Sequence, residues 1–291
     1  MLSNEAIFND TLRIIEDGYY TKDEQLVMLK YSTKESQESI VILPDEIKQI
    51  YNKCFVKGNK YSSDCNSKCF NLDSFSLGIK TKKDYNSNRV LVLNFANPIN
   101  PGGGVRIGAK AQEEDLCRRS TLLYALESKA AAKYYNYNKS RRNLNNSNTI
   151  MLHPNVEVFK NEAGILLEKP EQIAVVTCAA PIATSFEDLE SKKQYEKIFY
   201  LRILSLLICA AFYEYDYLIL GAWGCGAFGN DPKIVAELFR KAIYDESING
   251  FKICKNFKRI DFAVLSTDKN NYNFDTFDTT FLSYKIGRAH V

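Results

Sequence analysis

The sequence predicts an α/β fold, a sheet of buried strands with helices on both faces. Three observations carry this expectation. Short, mostly apolar runs recur at Val90–Phe95, Ile173–Cys178 and Leu218–Leu220, as strands covered on both faces require. Segments of ten or more residues with helical spacing alternate with them, the order that builds βαβ units. Two of the strands run into glycine-rich turns, Gly102–Gly104 and Gly221–Gly229, at the strand ends where such sheets bind anionic ligands.

Taken in order, residues 5–17 read as an amphipathic helix, with Ile7, Leu12, Ile14 and Ile15 in partial helical spacing and Gly18 as its stop. Ser39–Leu43 is a strand closed by Pro44, which opens a short helix. Residues 54–89 interleave Cys, Ser, Asn and Lys and suggest no regular element. Val90–Phe95 is a buried strand. After the glycines, Glu113–Ala132 reads as one helix with Leu116, Leu123 and Leu126 on one side. Residues 134–148, polar and rich in Asn, read as a surface loop. Ile150–Phe159 holds one or two short strands, Ile173–Cys178 another, and Gln194–Phe212 a long buried helix. Leu218–Leu220 leads into the second glycine turn. A helix then starts with Asp231 as N-cap and Pro232 at its first position. Ile260–Leu265 is the last strand. No internal repeat is apparent.

Composition narrows the function classes. The chain has 291 residues, 45% apolar, enough for a full core. Its 38 Lys and Arg against 35 Asp and Glu leave +3, which favours neither nucleic acid nor a membrane surface as partner. The eight cysteines lie mostly in apolar runs; the Cys65-x3-Cys69 pair lacks partner ligands for zinc, and reduced thiols in the cytoplasm are expected. The acidic start carries no signal-peptide pattern, and the longest apolar stretch, Ile203–Phe212, is well short of the ~20 residues that span a bilayer. Ile286–Val291 reads as the translation of a common sequencing adapter, which leaves His153 as the one histidine of the protein proper and makes histidine-based metal sites or triads improbable.

Two stretches carry chemistry. Gly102, Gly103 and Gly104 let backbone approach a ligand closely with N–H groups pointing outward, and Gln112, Glu113 and Glu114 follow within a short loop. The second turn, Gly224-Cys225-Gly226-Ala227-Phe228-Gly229, repeats the strand–loop–helix arrangement, and the pair suits a ligand with more than one phosphate. Glu113, Glu114 and Asp115 serve equally well to complement the dipole of the helix they start. As a glycosidic acid, only one of two adjacent glutamates can face the bond, and the dipole opposes the acid role by lowering its pKa. Trp223 and Phe228 suit core packing or contact with a sugar or base.

Asn94-Phe-Ala-Asn97, four residues and then Gly-Gly-Gly resembles the macrodomain pattern of an Asn pair ahead of a glycine loop. Gly-Gly-Gly, seven residues and then Gln112-Glu113-Glu114 is similar to the signature of poly(ADP-ribose) glycohydrolases, and Trp223–Gly229 to that family's second phosphate loop. Asp17-Gly18-Tyr19, closing the first helix, matches the compact microbial form. The likeness covers roughly residues 5–270.

The resemblance implies a three-layer α/β/α macrodomain-like mixed sheet with an N-terminal helical extension. It would be a single domain over 1–285, with the extension at about 1–85, the core at about 86–270 and the adapter tail at 286–291. It implies a bacterial, cytoplasmic monomer that binds ADP-ribose or poly(ADP-ribose), also on ADP-ribosylated proteins. No cofactor, no metal, no membrane and no direct nucleic-acid contact are implied. By position, Gly102, Gly103, Gly104 and Val105, with Gly224, Cys225, Gly226, Ala227 and Phe228, surround the diphosphate, and Gln112 lines the site. Asn97 and Glu113 hold the ribose beside the scissile bond, and Phe228 orients a ribose. Glu114 protonates the leaving oxygen; water, placed by the ligand's own diphosphate and by Glu114 as base, then captures the oxocarbenium ion. Two alternatives stay open, a hydrolase for mono-ADP-ribosylated protein or nucleic acid and a non-catalytic ADP-ribose-binding macrodomain.

Overall fold

The computed structural model describes residues 3–33, 37–141, 143, 145–183, 188–248, 250–266 and 271–289. Helix α1 spans Asn4–Asp17. Ser3 caps it by accepting from Ala6 N at 3.2 Å, and Gly18, at φ 76°, turns its N–H back on Ile14 O at 3.0 Å. Strands β1 (Tyr19–Lys22) and β2 (Gln25–Met28) form an antiparallel hairpin. Then come β3 (Ile40–Ile42), α2 (Pro44–Lys57), β4 (Cys69–Phe70), α3 (Ser74–Asp84) and β5 (Val90–Phe95). After the first glycine turn lie α4 (Gln112–Arg119), α5 (Leu122–Leu126) and α6 (Ala132–Ser140). Next are β6 (Ile150–Lys160), β7 (Leu166–Cys178), α7 (Leu189–Phe212), β8 (Tyr217–Leu220) and α8 (Pro232–Arg240). The chain continues through the short pair β9 (Ser247–Ile248) and β10 (Phe251–Lys252), then β11 (Arg259–Ala263) and α9 (Tyr272–Ala289). The backbone of α9 includes Ile286–Ala289 of the suspected adapter tail; His290 and Val291 lie outside the described residues.

Three expectations fail here for physical reasons. The single helix expected over 113–132 is broken, because Ser120 is extended (φ −153°, ψ 177°) and bridges Val158, while Thr121 N donates to Glu157 O at 3.0 Å. Pairing with β6 takes the backbone bonds that a continuous helix would use. The surface loop expected over 134–148 starts instead as α6, which buries Tyr134, Tyr135 and Asn138 on one face. The stretch 54–89 contains α3, capped by Asp73 accepting from Ser76 N at 2.9 Å. Its buried face mixes Phe75 and Leu77 with Ser74, Gly78 and Thr81, which blurs the apolar period.

The fold is mixed α/β, and its residues group into two compact units. The first comprises Met1–Ile42, Asn94–Arg142 and Thr149–Ala179. Its strands β3, β6 and β7 pair antiparallel, with the register of β6 on β7 shifting between His153 and Val156, a bulge. Ile14, Ile15, Tyr20, Leu29 and Phe159 form a core cluster between α1, the hairpin and β6. Lys160, 1% exposed, ends β6 beneath α1. Its Nζ donates to Ile7 O at 3.0 Å and Thr11 Oγ1 at 2.7 Å and pairs with Asp10 at 2.8 Å.

The second unit comprises Leu43–Leu93, Asn143–Asn148 and Ala180–Val291. Its strands β5, β8, β11 and β4 pair in parallel, as buried strands of an α/β sheet do. A run of rings, Phe199, Trp223, Phe239, Phe262 and Phe281, joins α7, α8, β11 and α9, with centroids 4.3 to 6.3 Å apart.

Candidate active site

In the first unit, Asn94 and Phe95, the last two residues of β5, deliver the chain to the glycine turn, and α4 returns beside it. The turn is tight: Gly102 and Gly103 take φ 69° and 56°, and a Cβ on Gly102 would lie 2.7 Å from Leu123 Cδ1. A Cβ on Gly103 would intrude on Glu114 Oε1 and stand 3.3 Å from Glu113 Oε2. The outward-pointing N–H groups expected of this turn are not its arrangement. Gly103 N donates to Asn100 O at 3.0 Å, Val105 N to Gly102 O at 3.1 Å and Gly104 N to Glu114 Oε1 at 2.8 Å. The glycines therefore seat the carboxylates. The Val105 side chain is buried, beginning a 3-10 turn over Val105–Ile107.

The two glutamates sit in opposite circumstances. Glu113, 2% exposed, is held at both oxygens: Oε1 by Asn94 Nδ2 at 3.2 Å, Oε2 by Asn97 N at 2.8 Å. Burial pushes its carboxyl up to about 8; the Asn97 and Asn94 bonds oppose this and the neighbouring Glu114 adds to it. Glu114 is also buried, with Oε1 on Gly104 N, but its buried Oε2 has no hydrogen-bond partner among the described residues.

Asn97 uses its Oδ1 to accept from Ile99 N at 3.0 Å and Asn100 N at 2.9 Å, which folds the loop before the glycines. Gln112 Oε1 accepts from Phe95 N at 2.8 Å, tying the first residue of α4 to the end of β5. Sequence reasoning named Asn94 only as part of a motif and missed Thr177, whose hydroxyl lies 3.2 Å from Asn94 Nδ2. Both are polar residues inside apolar strand runs, and that interruption was the available signal.

The second glycine turn, in the second unit, has the open backbone that the first lacks. Cys225 N donates to Ala222 O, Gly229 N to Gly226 O and Asn230 N to Gly224 O, at 2.9 to 3.1 Å. Among the described residues none accepts from the N–H of Gly226, Ala227 or Phe228. These groups precede the N-terminus of α8, where Asp231 caps Lys233 N at 2.9 Å and Pro232 occupies the first turn, as expected. Trp223 is fully buried against Phe199 and Phe239, so core packing is its role. Phe228 is half-buried and Cys225 too, with burial pushing the Cys225 thiol up to about 12. Asn230, which the sequence reading overlooked, anchors the turn: its Nδ2 donates to Pro181 O at 2.9 Å and its Oδ1 accepts from Tyr195 Oη. Among the described residues no helix is long and apolar enough to cross a membrane, and all eight cysteines are free thiols.

Buried paired glutamates on a strand–glycine turn–helix, within a mixed sheet flanked by helices, define a macrodomain-like glycoside hydrolase. Residues 9–161 match the family model of the microbial-type PARG (poly(ADP-ribose) glycohydrolase) catalytic domain, which is more than half of the chain. The poly(ADP-ribose) glycohydrolase of Thermomonospora curvata is 27% identical with a TM-score of 0.84, over 95% of this chain and 98% of that one. The same enzyme bound to the inhibitor ADP-HPD is 28% identical with a TM-score of 0.82, over 94% and 97%. That of Deinococcus radiodurans in complex with ADP-ribose is 28% identical with a TM-score of 0.75, over 84% and 95%. No curated protein matches the chain. The chain belongs to the microbial-type PARG catalytic-domain family. Its activity is that of the family, glycoside hydrolysis of poly(ADP-ribose) to release ADP-ribose.

Proposed function

We propose that Glu114 is the acid–base residue of this hydrolysis and Glu113 the group that holds the ribose. The observation that carries the assignment is the contrast between their oxygens. Both oxygens of Glu113 are engaged by N–H donors, which fixes the carboxyl in place. Glu114 has one oxygen anchored by Gly104 and the other buried and open. A buried acceptor without a partner is costly unless a ligand or a proton completes it. Glu114 carrying its proton on Oε2 gives it to the departing ribose oxygen. The C–O bond breaks with its electrons on that oxygen, leaving an oxocarbenium ion at the anomeric carbon. Water, steered by the ligand's diphosphate, then attacks as Glu114 takes the proton back. Glu113, kept neutral by burial near neutral pH, retains a proton to donate to a sugar hydroxyl.

The unclaimed N–H groups of Gly226, Ala227 and Phe228 bind the diphosphate, and Phe228 orients a ribose. Asn97 supports the ribose, while Gly102–Gly104, Val105 and Gln112 contribute backbone and shape. Polymer is the preferred substrate; the protein works in the cytoplasm as a monomer without a metal or cofactor. The deciding assay follows ADP-ribose release from poly(ADP-ribose), mono-ADP-ribosyl protein and ADP-ribosyl-DNA side by side. Rapid release from polymer supports the reading; turnover of either mono-modified substrate alone replaces it, and tight ADP-ribose binding without turnover makes the protein a reader.

A further inference from the structure

His153 stands behind Glu113 at the end of a chain of hydrogen bonds, all within the first unit. Its Nδ1 lies 2.9 Å from Ser39 Oγ and its Nε2 3.1 Å from Thr177 Oγ1. Thr177 Oγ1 is 3.2 Å from Asn94 Nδ2, which in turn donates to Glu113 Oε1 at 3.2 Å. His153, Thr177, Asn94 and Glu113 are each at most 2% exposed. His153 lies diagonal to Thr177 across the β6–β7 pairing, where Met151 faces Thr177 and His153 faces Val175.

The direction of every proton in this chain follows from valence. Ser39 has one hydroxyl proton and three short contacts: Ala125 O at 3.1 Å, Ser128 Oγ at 3.2 Å and His153 Nδ1. The Ala125 carbonyl can only accept, so all three are hydrogen bonds only if the Ser39 proton goes to it. Ser39 must then accept from Ser128 and from His153, and Nδ1 carries the imidazole proton. Burial pulls His153 down to about 3, so the ring is neutral and Nε2 is a bare acceptor. Thr177 therefore donates to Nε2 and offers only lone pairs to Asn94. The Asn94 carboxamide has to present its NH2, whose two protons go to Thr177 and Glu113. Were Thr177 to turn its proton towards Asn94, the carboxamide would flip and place an acceptor against the Glu113 carboxyl.

We infer that His153 is a positioning residue for the hydrolysis: through Thr177 it dictates which face of the Asn94 amide meets Glu113, and so holds the ribose-binding carboxyl in its working orientation. This rests on the reading of Glu113 given above.

The test separates orientation from mere stability. Thr177→Val keeps shape and removes the hydroxyl. His153→Asn reaches only the Ser39 side, whereas His153→Gln places an acceptor near the position of Nε2. Single-turnover release from polymer, ADP-ribose affinity and melting temperature are measured for each. The expected result is a rate ~10-fold or more below wild type for Thr177→Val and His153→Asn, as small misplacements of a site produce. His153→Gln regains most of that loss, and ADP-ribose affinity is held throughout. Rates that simply follow melting temperature, or a Thr177→Val enzyme at wild-type rate, overturn the inference. Nitrogen-15 shifts of the wild-type imidazole, one of two histidines in the chain, read the tautomer directly even if a variant fails to fold. A proton on Nδ1 supports the chain of donors, and a proton on Nε2 overturns it. A wild-type protein inert on polymer would refute the assigned reaction instead, and the nitrogen shifts alone would then decide the polarity of the chain.

Discussion

Gly103 and Glu114 compete for the same space. With φ at 56° and no side chain, Gly103 leaves open the position that the Glu114 Oε1 atom fills, where Gly104 N meets it at 2.8 Å. Gly103→Ala adds a methyl at that point. The atom it strikes is the end of a flexible side chain, so the fold gives way by moving Glu114, at a cost of ~1–2 kcal/mol for the left-handed backbone. Activity should fall much further, ~10²-fold, because the acid is displaced. Gly226→Val is the counter-experiment: nothing lies within 4 Å of a Cβ there. It should leave the melting temperature unchanged while weakening ADP-ribose binding, as calorimetry would show.

Glu114→Gln keeps the bond from Gly104 and removes the transferable proton. Loss of general acid catalysis lowers the rate ~10²–10⁴-fold, and the double role as acid and base places the effect at the upper end. ADP-ribose affinity should hold. Glu113→Gln loses activity by misalignment. A Glu114→Gln enzyme near wild-type rate beside a dead Glu113→Gln would invert the assignment.

The pH dependence of stability carries the mark of Glu113. In the native state burial keeps its proton until about 8, whereas the unfolded chain releases it near 4.5. Between those values the native state binds more protons, so this group's contribution falls as pH rises and is fully present only below about 4.5. Melting curves from pH 5 to 8.5 should therefore slope downward less steeply in Glu113→Gln than in wild type. Equal slopes would show that the carboxyl is ionised in the native protein.

Asn230 organises the second turn through Pro181 O, Tyr195 Oη and Gly224 O. Asn230→Ala strands buried polar partners and should cost ~1–3 kcal/mol in urea denaturation. ADP-ribose affinity should drop with it. An unchanged affinity would detach the turn from the ligand.

The legible part of the sequence was the part with strong local signals. Val90–Leu93 and Leu218–Leu220 are unbroken apolar runs, and Asp231-Pro232 is a cap with a first-turn proline; each appeared in place. The glutamate pair and both glycine turns were found by residue type and spacing. What escaped depended on partners far along the chain. Ser120 leaves the helix because it bridges Val158, 38 residues away, and Gly104 points at a carboxylate instead of a phosphate because α4 returns beside it. His153 and Thr177 gave only the faint sign of polar groups inside apolar strands, with nothing local to say that they meet.

Lys160 gives α1 a duty that its surface position hides. Its ammonium, closed off at the end of β6, is neutralised by Asp10 and solvated by Ile7 O and Thr11 Oγ1, all supplied by that one helix. Thr11 also reaches Arg118 O, on the helix that carries the glutamates. The charge cannot be sealed from water before the helix arrives, since an ammonium buried alone is prohibitively costly. Docking of α1 and closure of the sheet end are thus one event. The amino-terminal helix acts as the counter-charge that lets the end of β6 set, and amides of α1 and of the end of β6 should exchange with deuterium together, as a single opening unit.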